Sequence, residues 1–268
     1  MNQKYLDLLS YLKGKGKIVI AFSGGVDSTF LLKAAKEALG NNVKAVTVQS
    51  PYIPAWEVQE AKAFVHQFAI EHEIIQLDCI DASIRNNPKD RCYLCKKIIF
   101  KQILSLAQAQ GYSYVCDGTN FDDTKDYRPG MLALKELNVL SPLLDCNYTK
   151  ADIRAMSNQL GLPTWNKPAY ACLMTRLPYD TSVYLEDLQR IEAAELFMMS
   201  LGFKAVRVRH HGNLARIEVG PESRTALFDT TLLDKIGNQL QVYGYTYVTV
   251  DVLGYFMGSF NKTIEKEM

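Results

Sequence analysis

The chain has almost no net charge, few histidines and no long apolar run. Thirty Lys and Arg face 29 Asp and Glu, a formal net charge of +1. That balance argues against an obligate nucleic-acid binder, which carries a basic field to meet phosphates. No apolar stretch approaches the ~20 residues needed to cross a bilayer. The opening Met1-Asn2-Gln3-Lys4-Tyr5 lacks the apolar region of a secretion signal. A cytoplasmic protein with no membrane partner is therefore expected. The sequence shows no internal repeat and no low-complexity segment.

What is present is ordinary for a globular protein: 48% apolar and 22% charged residues. A chain of 268 residues holds one large core, or a large and a small domain. The six cysteines are Cys79, Cys92, Cys95, Cys116, Cys146 and Cys172. In a reducing compartment they are not expected to form structural disulfides, so a clustered subset points to metal or redox chemistry.

The most informative stretch is Ser23-Gly24-Gly25-Val26-Asp27-Ser28. Lys17-Ile18-Val19-Ile20 before it reads as a buried strand, and the residues from Ser28 to Leu39 read as an amphipathic helix. A Gly-Gly alone is only a turn signal. Placed where a strand becomes a helix, it offers unpaired N–H groups and a helix dipole to a phosphate, and Asp27 can hold magnesium against that phosphate. The Gly-Lys-Ser/Thr ending of a Walker loop is absent. The whole string resembles the PP-loop of the N-type ATP pyrophosphatases, which cleave ATP between its α- and β-phosphates.

Helical spacing of Tyr5, Leu8, Leu9 and Leu12 predicts a leading helix. Strands at 17–22, 43–49, 73–78 and 112–116 alternate with helices at 28–39, 54–70 and 92–110. Such alternation predicts a parallel α/β sheet, Rossmann-like, with ligands at the carboxyl ends of its strands. Ser23, Ser50 and Asp78 lie at those ends. A short strand at 137–140 and a helix to Leu160 follow. A boundary near Tyr179 separates a PP-loop domain, 1–178, from a smaller α+β domain, 179–268. In the smaller domain helices are expected at 184–201 and 222–242, and strands at 204–210, 214–219 and 245–252.

Cys92-Tyr93-Leu94-Cys95 puts two sulfurs on one side of a helix's first turn. The helix N-terminus, Arg91, Lys96 and Lys97 favour thiolates. Such a pair is half a zinc site, a redox pair or a coincidence. Zinc needs four ligands, and no second CxxC or clear histidine partner exists. Three thiolates suffice for an iron–sulfur cluster with one open iron, and Cys172 is a natural third. Cys79, Cys116 and Cys146 read as structural.

Beyond the PP-loop, the sequence resembles the LarE family over residues 5–261. The matching segments are Asp117–Asn120, Asp126–Gly130, Trp165-Asn166-Lys167, Cys172–Tyr179 and Val206–His210. LarE proteins are ATP-dependent sulfur transferases of nickel-pincer nucleotide biosynthesis. The resemblance implies ATP, Mg2+ and a 4Fe–4S cluster on Cys92, Cys95 and Cys172, since Ala171 stands at the family's sacrificial-cysteine position. It implies nucleotide contacts at Ser23, Gly24, Gly25, Asp27, Ser28, Ser50, Gly118, Thr119, Asp126 and Arg128. It gives catalytic roles to Cys172, Asp27 and Arg176, and substrate contacts to Thr175, Arg176, Arg207 and Arg209. Glu195 and Glu218 match acidic metal positions, while the third of that set falls near Ala226. It also implies a homo-oligomer, trimer or hexamer. On residues alone, Arg207 and Arg209 alternate on one strand and read equally as a solvated face, Asp122 and Asp123 read as magnesium ligands or loop caps, and His210 and His211 as solvated turn residues. A PP-loop tRNA thiolase is the leading rival, which salt-sensitive tRNA binding would reveal. Further rivals are a nitrogen-transferring synthetase, which would not need the three cysteines, and a non-enzymatic ATP sensor, which would release no pyrophosphate.

Overall fold

The computed structural model describes residues 2–125 and 128–256. The chain divides into two compact units, Met1–Ile84 with Asp90–Tyr170, and Arg85–Lys89 with Ala171–Met268. The boundary expected near Tyr179 thus falls inside the second unit, which also takes in residues 85–89. The Asn87 side-chain amide holds them there by donating to the carbonyls of Leu177 (3.1 Å) and Pro178 (2.7 Å).

The first unit runs α1 (Gln3–Lys13), β1 (Ile18–Ala21), α2 (Val26–Leu39), β2 (Val43–Gln49), α3 (Ala55–Gln67), β3 (Glu71–Gln76), α4 (Arg91–Ala109), β4 (Tyr114–Cys116), α5 (Gly130–Glu136), α6 (Pro142–Asp145) and α7 (Lys150–Gln159). Its four strands are all parallel, in the order β3-β2-β1-β4. Near-continuous apolar runs in β1 and β2 allow burial on both faces. Ile18 and Ile20 pack with Phe30 and Leu31 on one side, while Val19 and Val46 pack with Phe100 and Ile103 on the other. Each such side chain contributes ~1.5–3 kcal/mol by leaving water. The strand expected at 137–140 reduces to one bridge, Cys116 to Leu140, because residue 137 already serves as the C-cap of α5.

The second unit contains α8 (Leu185–Ser200), β5 (Val206–His211), β6 (Leu214–Val219), α9 (Thr230–Val242) and β7 (Tyr247–Val250). Its sheet is mixed, with β5 antiparallel and β7 parallel to β6. Gly212, at φ +64°, turns the hairpin between β5 and β6. The helix expected over 222–242 is interrupted. Asp229 is extended and caps α9 by accepting from Leu232 N–H at 3.1 Å, so Pro221–Phe228 winds separately as a 3-10 turn. Among the described residues, no helix is long and apolar enough to cross a membrane.

Candidate active site

The PP-loop leaves β1 as Phe22 donates to Val46 O at 2.8 Å. Gly24 is left-handed, φ +70°, and a Cβ there would lie 3.3 Å from Ala61 Cβ. Both facts call for glycine. Gly25 is the extended N-cap of α2 and supplies no side chain to its opening N–H groups. Ser23 Oγ and Ser28 Oγ share a hydrogen bond of 3.1 Å. Asp27 sits in the first turn, where Lys150 Nζ donates to its Oδ2. Asp27 Oδ1 is buried and has no hydrogen-bond partner among the described residues. Burial pushes the Asp27 pKa up, and Lys150 opposes the rise.

The strand order fixes where this loop lies. The chain steps outward from β1 to β2 and β3, then returns to β4 on the other side of β1. The crevice between β1 and β4 is therefore the switch point, where ligands of such sheets bind. The loop after β4 closes on it: a Cβ on Gly118 would lie 3.0 Å from Ser28 N and 3.3 Å from Asp27 Cβ. Asp117 accepts from Thr119 Oγ1 (2.5 Å) and Ser141 Oγ (2.7 Å), and pairs with Lys96 at 3.5 Å. Asp123 accepts Asn120 N–H at 3.0 Å and pairs with Arg128 at 2.9 Å. Asp122 accepts Lys150 N–H at 2.8 Å. Both carboxylates thus serve the loop's own geometry. Ser50 Oγ and Asn120 Nδ2 are buried without a hydrogen-bond partner among the described residues. Asp126 lies outside the described residues.

Three lysines on this rim carry no nucleotide role in the sequence reading, where Lys96 serves only to favour the Cys92 and Cys95 thiolates and Lys167 only belongs to a matching segment. Lys167 Nζ donates to Gly24 O (3.1 Å) and Glu60 (2.6 Å), and Lys96 reaches Asp117. Lys150 is 123 positions from Asp27, so no local spacing could announce the pair.

All six cysteines are thiols rather than disulfides. Cys92 is exposed and Cys95 half-buried at the start of α4, where the Cys95 thiol faces Tyr52 Oη at 3.7 Å. Cys172 belongs to the second unit and is half-buried. Its carbonyl accepts from Thr175 N–H (3.0 Å), Thr175 Oγ1 (2.8 Å) and Arg176 (3.1 Å). Burial pushes the Cys116 thiol up to about 12, so it stays an inert thiol. Among the described residues, no three His, Cys, Asp or Glu side chains gather as a metal site.

In the second unit the guanidinium of Arg176, fully buried, grips both oxygens of Glu195 at 2.9 and 2.8 Å. It also donates to Ala171 O (2.7 Å) and Thr175 Oγ1 (2.8 Å). Glu218 accepts from Arg209 at 2.6 Å and Arg216 at 3.1 Å. The two glutamates matched to acidic metal positions thus have their carboxylates on arginines. Arg207 and Arg209 are buried rather than on a solvated face, because β5 turns its Val206 and Val208 into one core and its arginines toward Glu218 and Tyr255. Burial lowers the Arg207 pKa, and nearby Arg176 adds to the effect. His210 is also buried, at 4% exposure, where a solvated turn is expected. The strand runs on through His211, which leaves His210 facing Tyr245 Oη (3.3 Å) and Asp187 (3.4 Å).

A parallel sheet with a Ser-Gly-Gly-Val-Asp-Ser turn at its switch point defines an ATP pyrophosphatase of the PP-loop class. Residues 4–103 match the family model described as NAD synthase. The chain is 39% identical to the uncharacterized protein slr1717 of Synechocystis sp., across 99% of this chain and 100% of that protein. It is 37% identical to the pyridinium-3,5-bisthiocarboxylic acid mononucleotide synthase of Lactiplantibacillus plantarum, across 98% and 95%. It is 32% identical to the uncharacterized protein MJ0830 of Methanocaldococcus jannaschii, across 93% and 96%. The chain belongs to the LarE family of PP-loop enzymes.

Proposed function

We propose that this protein is an ATP-dependent sulfurtransferase that converts the carboxylates of pyridinium-3,5-biscarboxylic acid mononucleotide into thiocarboxylates. The full-length likeness to the bisthiocarboxylic acid synthase carries this reading. A carboxylate resists substitution because oxide is a poor leaving group. Its attack on the α-phosphorus of ATP forms an acyl-adenylate and breaks the bond to the β-phosphate oxygen, whose electron pair leaves with pyrophosphate. The N–H groups at the start of α2 would meet that developing charge. Asp27 would hold Mg2+, and its buried, unpartnered Oδ1 fits a cation. Gly118 and Thr119 would flank the adenylate beside Ser50 and Arg128. Arg207 and Arg209 would grip the substrate phosphate, an anion suited to guanidinium forks. Arg176, already on the Cys172 carbonyl, would fix the segment that carries Cys172 and Thr175.

Cys92, Cys95 and Cys172 would hold a 4Fe–4S cluster. Two thiols one turn apart at a helix N-terminus, with lysines beside them, have the donor chemistry such a cluster takes, and Cys172 would supply the third thiolate. When bound, such a cluster would supply the sulfide that displaces AMP from the acyl carbon. Two rounds would convert both carboxylates. The protein would act as a homo-oligomer, trimer or hexamer, and the exposed Phe228, Val252 and Leu253 are apolar side chains that an assembly could cover. The test is anaerobic purification. Wild-type protein should be brown and contain iron, and Cys172→Ser should lose both colour and activity. A colourless, iron-free protein with full activity would defeat the cluster.

A further inference from the structure

Asn87 is a fully buried amide of the second unit, and it grips the segment that carries Cys172. Its Nδ2 donates to the carbonyls of Pro178 (2.7 Å), Leu177 (3.1 Å) and Met174 (3.4 Å). Met174 lies in the 3-10 turn Leu173–Arg176, and Leu177 is the C-cap of that turn. Main-chain bonds lay the two stretches side by side: Asp180 N–H donates to Asn87 O at 3.1 Å, and Val183 N–H to Arg85 O at 2.8 Å. Asn87 is left-handed, φ +50°, a conformation asparagine takes more readily than most residues. Cys172 is the N-cap of the same turn, and its carbonyl is held by Thr175 and Arg176. The turn is thus fixed at its start by those two side chains and at its close by the Asn87 amide. In sequence Asn87 also stands five positions before Cys92, in the stretch that leads into α4.

We propose that Asn87 is a positioning residue for the sulfur half of the reaction, its amide fixing the turn that decides where the Cys172 sulfur stands. A cysteine has one torsion between its main chain and its sulfur, with three staggered wells. Once the main chain is held, the sulfur has only those places to occupy. Without the amide, the buried carbonyls of Met174 and Leu177 lose a donor, and the turn is driven toward conformations that satisfy them with water. Asn87 acts through the turn and exchanges no proton with it. This role rests on the reading of Cys172 as a sulfur-bearing thiolate.

The test uses the full chain with Asn87→Gly and Asn87→Asp. Glycine accepts the left-handed φ, an ionised aspartate keeps the side-chain shape, and both lack the amide donors. In reduced, iron-free protein, alkylation by iodoacetamide is followed at each cysteine by mass spectrometry. Cys172 should react roughly 10-fold faster in both variants, as its turn opens more often. Exposed Cys79 and buried Cys116 should keep their wild-type rates. After anaerobic reconstitution, both variants should bind less iron per chain than wild type, as Cys172→Ser does. Unchanged or slower alkylation of Cys172 would overturn the proposal, and so would faster alkylation with wild-type iron content. A matching rise at Cys116 would also overturn it, since that marks a general loss of fold. Wild-type protein that binds no iron would defeat the cluster, and alkylation would still decide the role of Asn87. Far-ultraviolet dichroism selects the variants that keep the fold, and Asn87→Ser replaces one that does not.

Discussion

Replacing Arg176 by Met should destabilise the second unit far more than the first. Arg176 is fully buried and Glu195 is 5% exposed. The substitution removes both contacts to Glu195 and those to Ala171 O, Cys172 O and Thr175 Oγ1. Glu195 is then a buried carboxylate that keeps a hydrogen bond from the Val208 N–H, at 2.9 Å. Breaking a buried pair from one side costs about 3–5 kcal/mol, a large share of the ~5–15 kcal/mol that holds a typical domain. Both tryptophans, Trp56 and Trp165, belong to the first unit. Urea unfolding followed by tryptophan fluorescence and by far-ultraviolet dichroism therefore separates the units. In Arg176→Met, dichroism should show an early transition that tryptophan fluorescence does not. Adding Glu195→Leu removes the stranded charge and should restore much of the loss, since a buried pair replaced as a whole is often neutral. A loss below ~1 kcal/mol, or a double variant no better than the single one, would refute the reasoning.

Gly118→Ala should press a methyl group against Ser28 N at 3.0 Å and Asp27 Cβ at 3.3 Å. Overpacking of ~1–3 kcal/mol should appear as roughly 5- to 150-fold weaker binding of MgATP, and wild-type affinity in calorimetry would count against the crevice. Acid should dissolve the link between α1 and α7. Lys4, then the Thr149 cap, holds Asp152 down to about 2, below its ordinary 3.8. A depressed carboxylate stabilises the fold above its ordinary pKa and loses that contribution as pH falls toward 2. At this exposure solvent screening limits the effect to ~1 kcal/mol. The stability gap between wild type and Asp152→Asn should close between pH 4 and 2, and a gap independent of pH would contradict the pairing. Thr149→Ala should cost ~1 kcal/mol as a lost cap, and should also weaken MgATP if α7 positions Lys150.

The phosphate loop was legible because its chemistry is local: strand, two glycines, carboxylate and helix fall within a dozen residues. The parallel sheet was legible from strands alternating with helices along the chain. Lys150 was not, since its meaning comes from a contact across 123 positions. The alternation of Arg207 and Arg209 placed them on one side of a strand, but it could not say what covers that side. Glu218 and Tyr255 do, and neither is a neighbour in sequence. His210 was misplaced by one turn signal, Gly212-Asn213, which begins only after the strand has passed it. Residues 85–89 group with the second unit, where the amide of Asn87 bonds to carbonyls some 90 positions away, a contact that chain order cannot foresee.

Product analysis tests the account most directly. Anaerobic protein should be incubated with Mg2+, ATP, sulfide and pyridinium-3,5-biscarboxylic acid mononucleotide, and the pyridinium compound examined by mass spectrometry. The account predicts exchange of carboxylate oxygen for sulfur with one AMP formed per exchange, and no exchange in Cys172→Ser. AMP without sulfur in the product, or full exchange in Cys172→Ser, would contradict it.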